Sequence, residues 1–491
     1  MSQLNKDVLF LLFEELRDDS KSLFSCLLVN KLWCETVIPI LWRNPWCYDI
    51  DYESKSYLFA IIASYLSVET KEFLLRQGIN FPSISYQSLL FDYLSFCRSI
   101  NVTIINNIIP IESPHNQFYL QQEFYNILIT SCTELKYLDM RSINHQIFYI
   151  PKAKACLETL YELKCDTSVD PIYFYGLARI CQNIQKLVII NDTIKVNHGI
   201  AKLIEAQENL KNFEWEDEFY DDDFIEDPYE ETLLALKDKA DILIHLKIFF
   251  KYIEGFDHTL LQEILPKFYK LKTLILKNDF TYFNENQFKM LVYHDIEILH
   301  IDYITINMPS YIIENSGGHL KEIILFENCE YYEDFGDNFN EVSLKFIQKI
   351  CEHCPSIEYL TLAFAPTDEH FTEFKKLLKV CQKLKSLLLM ILNFDENETT
   401  ENFMENGAEL LKALIRSAPT NLREIRFFDD FKFSLDALEE FLKQWEGRPA
   451  LSILTIDQIY RGEDYKRLIN KFKNDGVIID FRVVSGFEIY Y

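Results

Sequence analysis

Glycine and proline are scarce in this chain, at 12 and 14 of 491 residues. That argues against flexible or stiff linkers built on those residues. Long apolar runs are also missing. Tyr57 to Leu66 is the best candidate and falls well short of the ~18 residues that cross a bilayer. No run of Lys or Arg occurs, and 49 Lys+Arg stand against 76 Asp+Glu, a formal net charge of -27. Nucleic-acid binders carry the opposite sign, because phosphates are neutralised by Lys and Arg. Anionic membrane surfaces are disfavoured for the same reason. The apolar stretch Val8 to Phe13 is followed at once by Glu14 and Glu15. It has no basic start and no small-residue cleavage site, so it does not read as a signal peptide. These features place the chain in the cytoplasm, the nucleus or both, where thiols stay reduced. The twelve cysteines then need a packing role, and the sequons at Asn101, Asn191 and Asn397 read as chance matches.

Apolar residues are plentiful, at 48% with 15% aromatic, enough for a large core. They recur in one pattern: apolar, two variable, apolar, one variable, apolar. It is seen at Leu135-Leu138-Met140, Leu160-Leu163-Cys165, Ile184-Leu187-Ile189 and Leu210-Phe213-Trp215. It continues at Leu243-Leu246-Ile248, Leu271-Leu274-Leu276, Ile296-Leu299-Ile301 and Leu320-Ile323-Leu325. The last five are Ile357-Leu360-Leu362, Leu384-Leu387-Leu389, Leu422-Ile425-Phe427, Leu451-Leu454-Ile456 and Ile478-Phe481-Val483. Successive starts lie 24 to 38 residues apart. The closing alternation is strand periodicity, whereas Phe371, Phe374, Leu377, Leu378 and Cys381 between units recur at helical spacing. Asp170-Pro171 and Ser434 offer helix starts. Each unit is thus a strand and a helix too small to bury its own face, so units must stack. Cys132, Cys181, Cys354 and Cys381 fall just before the next strand. This resembles the cysteine-containing leucine-rich repeat common in F-box proteins. The expected fold is α/β, a curved solenoid with a parallel inner sheet and outer helices over 126–491.

The N-terminal stretch reads as three short helices. Val8, Leu9, Leu12, Phe13 and Leu16 make a broad apolar helical face, and Leu23, Leu27, Trp33 and Val37 extend the pattern. Some forty residues cannot hide so much apolar surface alone. The segment Ser22-Leu23-Phe24-Ser25-Cys26-Leu27-Leu28-Val29-Asn30, with Trp33-Cys34 and Pro39-Ile40-Leu41-Trp42, resembles an F-box of the fungal type. F-boxes dock on the Skp-family adaptor of a cullin ligase core, the SCF ubiquitin ligase. By that resemblance Leu4, Leu16, Leu23, Leu28, Val29 and Trp33 are the adaptor-binding positions. The family usually opens with Leu-Pro, and here Asn5 stands in the place of the proline. Residues 1–46 are then the F-box, and 47–125 a helical bridge or degenerate repeats.

No phosphate loop, nucleophile elbow or zinc helix is present in the sequence. Cys351 and Cys354 flank His353 without a second ligand pair, and share a helical stripe with Ile347. No catalytic residue, metal or cofactor is expected. The resemblance implies a substrate receptor that acts by proximity; a protein-binding scaffold without ubiquitination is the alternative. Ile324, Phe326, Tyr359, Ala363, Leu388, Met390 and Phe428 lie between the inward positions and are expected to form an apolar concave patch for a protein substrate. The long intervals 210 to 243, 320 to 357 and 384 to 422 are acidic. In the first, Asp221, Asp222, Asp223, Glu226 and Asp227 are expected on a rim that attracts a basic substrate.

Overall fold

The computed structural model describes the chain apart from residues 1–4, 49–51, 110–112, 194, 219–225, 252–258, 278–282, 303–306, 327–338, 392–399, 429–431 and 485–491. It divides into two compact units, Met1–Ile242 and Leu243–Tyr491. No helix among the described residues is long and apolar enough to cross a membrane.

The first unit opens with three helices: α1 (Lys6–Glu15), α2 (Ser20–Leu27) and α3 (Lys31–Leu41). Asp19 starts α2 by accepting from the Ser22 amide at 3.1 Å, and Asn30 starts α3 by accepting from the Trp33 amide at 3.0 Å. Further helices, among them Tyr52–Ser64, Val68–Arg76 and Pro114–Ser131, follow before the repeats. Five parallel strands come in chain order: β1 (Ser99–Asn101), β2 (Tyr137–Asp139), β3 (Glu162–Asp166), β4 (Lys186–Asn191) and β5 (Asn212–Asp217). The second unit holds β6 (His245–Phe249), β7 (Thr273–Lys277), β8 (Ile298–Asp302), β9 (Glu322–Phe326), β10 (Tyr359–Phe364), β11 (Ser386–Ile391), β12 (Glu424–Phe428), β13 (Leu451–Thr455) and β14 (Ile478–Val483). These too pair in parallel, each with the next.

A parallel pair needs a crossover, and here each crossover carries a helix or helical turn. Register is set by the apolar alternation, since a slip of one residue would turn the buried set outward. Leu138, Leu163, Leu187 and Phe213 therefore stand side by side in the first unit. In the second, Leu246, Leu274, Leu299, Ile323, Leu360, Leu387, Ile425, Ile453 and Phe481 form one row. Every member of both rows but Phe481 is buried. This is an α/β architecture of the leucine-rich-repeat kind.

One unit departs from the sequence pattern. In β13 the row position is Ile453, not Leu454, and its successor is Thr455, not Ile456. Between Leu451 and Ser452 the pairing with β14 passes over Ile479, so Leu451 stands two positions before the row residue Ile453, whereas Ile478 stands three before Phe481. Leu451, Ile453 and Leu454 are all apolar, which concealed the shift.

Cys132, Cys181, Cys354 and Cys381 each follow the last residue of a helix. Their amides donate to the carbonyls of Leu128, Leu177, Ile350 and Leu377, at 2.7 to 2.9 Å. All four are buried, so a small apolar side chain closes the helix beneath the next strand. Cys351 is also buried, and desolvation raises its thiol to about 11. The expected helix starts hold: Asp170 accepts from the Ile172 amide at 2.9 Å, and Ser434 from Ala437 at 3.2 Å.

Candidate protein-docking surface

In α1, Leu9 and Phe13 lie one turn apart and are buried. Phe13 meets Trp33 of α3 edge-on, with ring centroids 5.2 Å apart. Arg43, just past α3, grips both oxygens of Glu14, at 3.0 and 2.6 Å, and so clamps the end of α1. Leu23 of α2 and Val37, Ile40 and Leu41 of α3 are buried as well. Trp46 then donates its indole N–H to the Ser99 carbonyl at 2.9 Å, and Arg98 donates its amide to the Arg43 carbonyl. The three helices are thereby tied to strand β1.

The opposite stripe of α1 carries Val8, Leu11 and Leu12, at helical spacing and exposed; Leu11 shows 66% of its surface. A helix apolar on both sides is normally covered on both. Phe24 on α2 is exposed, and in the turn to α3 so are Leu28, at 89%, and Val29. Of the expected adaptor positions, then, Leu28 and Val29 offer free surface. Leu16 and Trp33 are half-buried, and Leu23 is fully buried and shapes the core. Leu4 lies outside the described residues. Reading α1 as one broad face concealed the division into an inner pair, Leu9 and Phe13, and an outer trio.

The inner face of the second unit differs from the expected apolar patch. Ala363, Leu388, Met390 and Phe428 are buried, so they present no open surface, and the expectation is corrected. Ala363, Met390 and Phe428 are in register on adjacent strands, and neighbours some 4.8 Å apart cover one another's flanks. Ile324 is half-buried, and the side chain of Phe326 lies outside the described residues. Tyr359 remains exposed, at 42%.

Around Tyr359 the face is polar. Glu322 and Ser386 stand beside it in register, and Glu424 beside Ser386. His300 Nε2 and Glu322 Oε1 are 2.6 Å apart. Ser386 and Arg426 both donate to Glu424 Oε1, at 2.7 Å. The sequence reading missed this row. Aligning the units on their leucines, rather than reading each alone, brings it into view.

Asp221, Asp222 and Asp223 of the expected acidic rim lie outside the described residues. Glu226 is exposed, 3.9 Å from His198 Nε2. Asp227 accepts from the amides of Tyr229 and Glu230 at 2.8 and 3.3 Å, and so organises the start of the following helix, Glu230–Lys237.

No family model matches this chain, and no curated protein matches it. Among solved structures it is similar to a crystal structure of the Rad7 and Elc1 complex in yeast, with a TM-score of 0.40 and 14% identity. The match covers 67% of this chain and 82% of that one. A likeness this distant says nothing about function.

Proposed function

We propose that the chain is a substrate receptor that docks on a Skp-family adaptor through its N-terminal helices and holds a protein substrate on its repeats. It then delivers that substrate to a cullin ligase core for ubiquitination. The receptor does no chemistry itself; proximity raises the effective concentration of substrate lysines at the ligase. The observation that carries the reading is the outer stripe Val8, Leu11 and Leu12, an apolar face on a helix whose inner face is already filled. The F-box resemblance of residues 1–46 supplies the occupant.

The test is capture of purified Skp-family adaptor by the full chain. Leu11 and Leu12 are exposed, so Leu11→Glu with Leu12→Glu should leave the fold intact. Residues at the centre of an interface cost about 2 kcal/mol or more on loss, so adaptor affinity should fall about 30-fold or more. Equal capture by the folded double variant would rule out this docking face. A second reading is a scaffold that binds its protein without ubiquitination. Asn5 favours it: it stands where the family has proline, and its side chain makes no capping hydrogen bond to α1. On that reading wild type would capture no adaptor.

A further inference from the structure

The loops that follow β2 and β3 enclose two adjoining clefts of about 430 and 400 Å3, both bordered by Asn144, Gln146 and Tyr173. The larger is also bordered by Phe118, Gln122 and Tyr149, and the smaller by Asp170. The floor is fixed by part-buried hydrogen bonds. Asp166 Oδ2 accepts from the Ser142 amide at 2.7 Å, and His145 Nε2 lies 3.1 Å from Gln121 Oε1. The Phe118 ring stacks on His145 with centroids 4.1 Å apart.

The lining has a definite chemistry. Phe118 is exposed, and so is Tyr149 at 74%, which gives flat aromatic surface. Gln122, Asn144 and Gln146 are exposed, and among the described residues their amides have no hydrogen-bond partner. Other amides of this unit are used within the fold: Asn197 donates to two carbonyls, and Gln207 joins three bonds. Among the described residues no lysine or arginine borders either cleft. The nearby Arg141 is held by both oxygens of Asp139, at 2.9 and 2.8 Å. His145 adds no positive charge at neutral pH, because burial pushes it down to about 4.

Aromatic faces, amide oxygens, one exposed carboxylate and no cation form a recess for a planar, donor-rich cation. A guanidinium stacks on aromatic rings and presents five N–H donors that amide and carboxylate oxygens satisfy. An ammonium offers a point charge and cannot stack. From this geometry we infer that the paired clefts bind an arginine side chain on an extended segment of the protein substrate. The chain's net charge of -27 draws such a segment in. The inference rests on the protein-binding half of the function proposed above and not on the adaptor.

The probe is acetyl-Gly-Ser-Arg-Ser-Gly-amide, titrated into the full chain by saturation-transfer NMR, beside the same peptide with lysine or citrulline. Citrulline keeps the shape and loses the charge. Arginine should bind, lysine more weakly, and citrulline not measurably. Tyr149→Ala should weaken the arginine peptide about fivefold or more, from loss of the stacking face. Gln146→Ala should narrow the preference for arginine over lysine. Both side chains are exposed, so unchanged melting of the variants controls for folding. Adaptor capture by both variants should equal wild type, which separates this site from the docking helix. Failure of the arginine peptide to bind, equal binding of citrulline, or indifference to Tyr149→Ala would each overturn the assignment.

Discussion

His370 illustrates how one buried residue makes stability depend on pH. Its imidazole lies between Thr367 Oγ1 and Ser343 Oγ, each at 2.8 Å, and is almost wholly buried. Burial pushes its pKa from 6.5 down to about 4, against the opposing pull of Glu369. Below 6.5 the unfolded chain takes up the proton first, while the folded chain keeps the ring neutral to about 4. The contribution is therefore complete above 6.5 and is lost progressively as the pH falls to about 4. His145 acts in the same sense. The urea midpoint should drop between about pH 7.5 and about pH 5, and His370→Gln should drop less over that interval though less stable at the start. An undiminished drop in the variant would mean that His370 is not held neutral.

Strand ends show what an element gains from one carboxylate. Asp217, at the end of β5, accepts from Trp215 Nε1 at 2.8 Å, Asn191 Nδ2 at 2.8 Å and the Tyr229 hydroxyl at 2.6 Å. All four residues are buried, so Asp217→Ala would remove three buried hydrogen bonds. An unmet buried donor costs about 1–3 kcal/mol, and the variant should lose about 3 kcal/mol or more in urea denaturation. Asp217→Asn should lose less. A loss under about 1 kcal/mol for the alanine variant would show that water replaces the carboxylate. Elements of this kind were only partly legible. All thirteen strands from β2 to β14 were visible as leucine patterns, and in all but β14, whose Phe481 and Val483 are half-buried, buried residues recur at period 2. Strand β1 was not: it has three residues, and only Ile100 is an apolar member. The bonds of Asp217 were equally hidden, since an aspartate at a strand end looks like any solvated turn residue.

Across the whole molecule, charge is the dominant unbalanced quantity. The formal charge of -27 sets carboxylates against one another, and most of the described ion pairs are surface contacts of small individual value. Salt should therefore stabilise the chain: screening shortens the repulsion to about 10 Å at 0.1 M. The melting temperature should rise by a few degrees between about 20 and about 200 mM NaCl; a fall would mean that the ion pairs outweigh the repulsion. At this scale the α/β repeat architecture was legible in the sequence, and the surfaces were not. Periodicity tells which residues face the helices, but it cannot tell whether the other face is open, as at Tyr359, or covered, as at Met390. The arginine cleft was invisible for a related reason, because its walls come from two helices and two loops.

The unbroken leucine row has a consequence for descent. Starts vary from 24 to 38 residues apart, yet the row runs on in register. Segments added between strands leave the register alone, whereas a single residue added inside a strand inverts which face is buried. Lineages of this chain are thus free to lengthen or shorten by mutation in the intervals while the row stays unchanged.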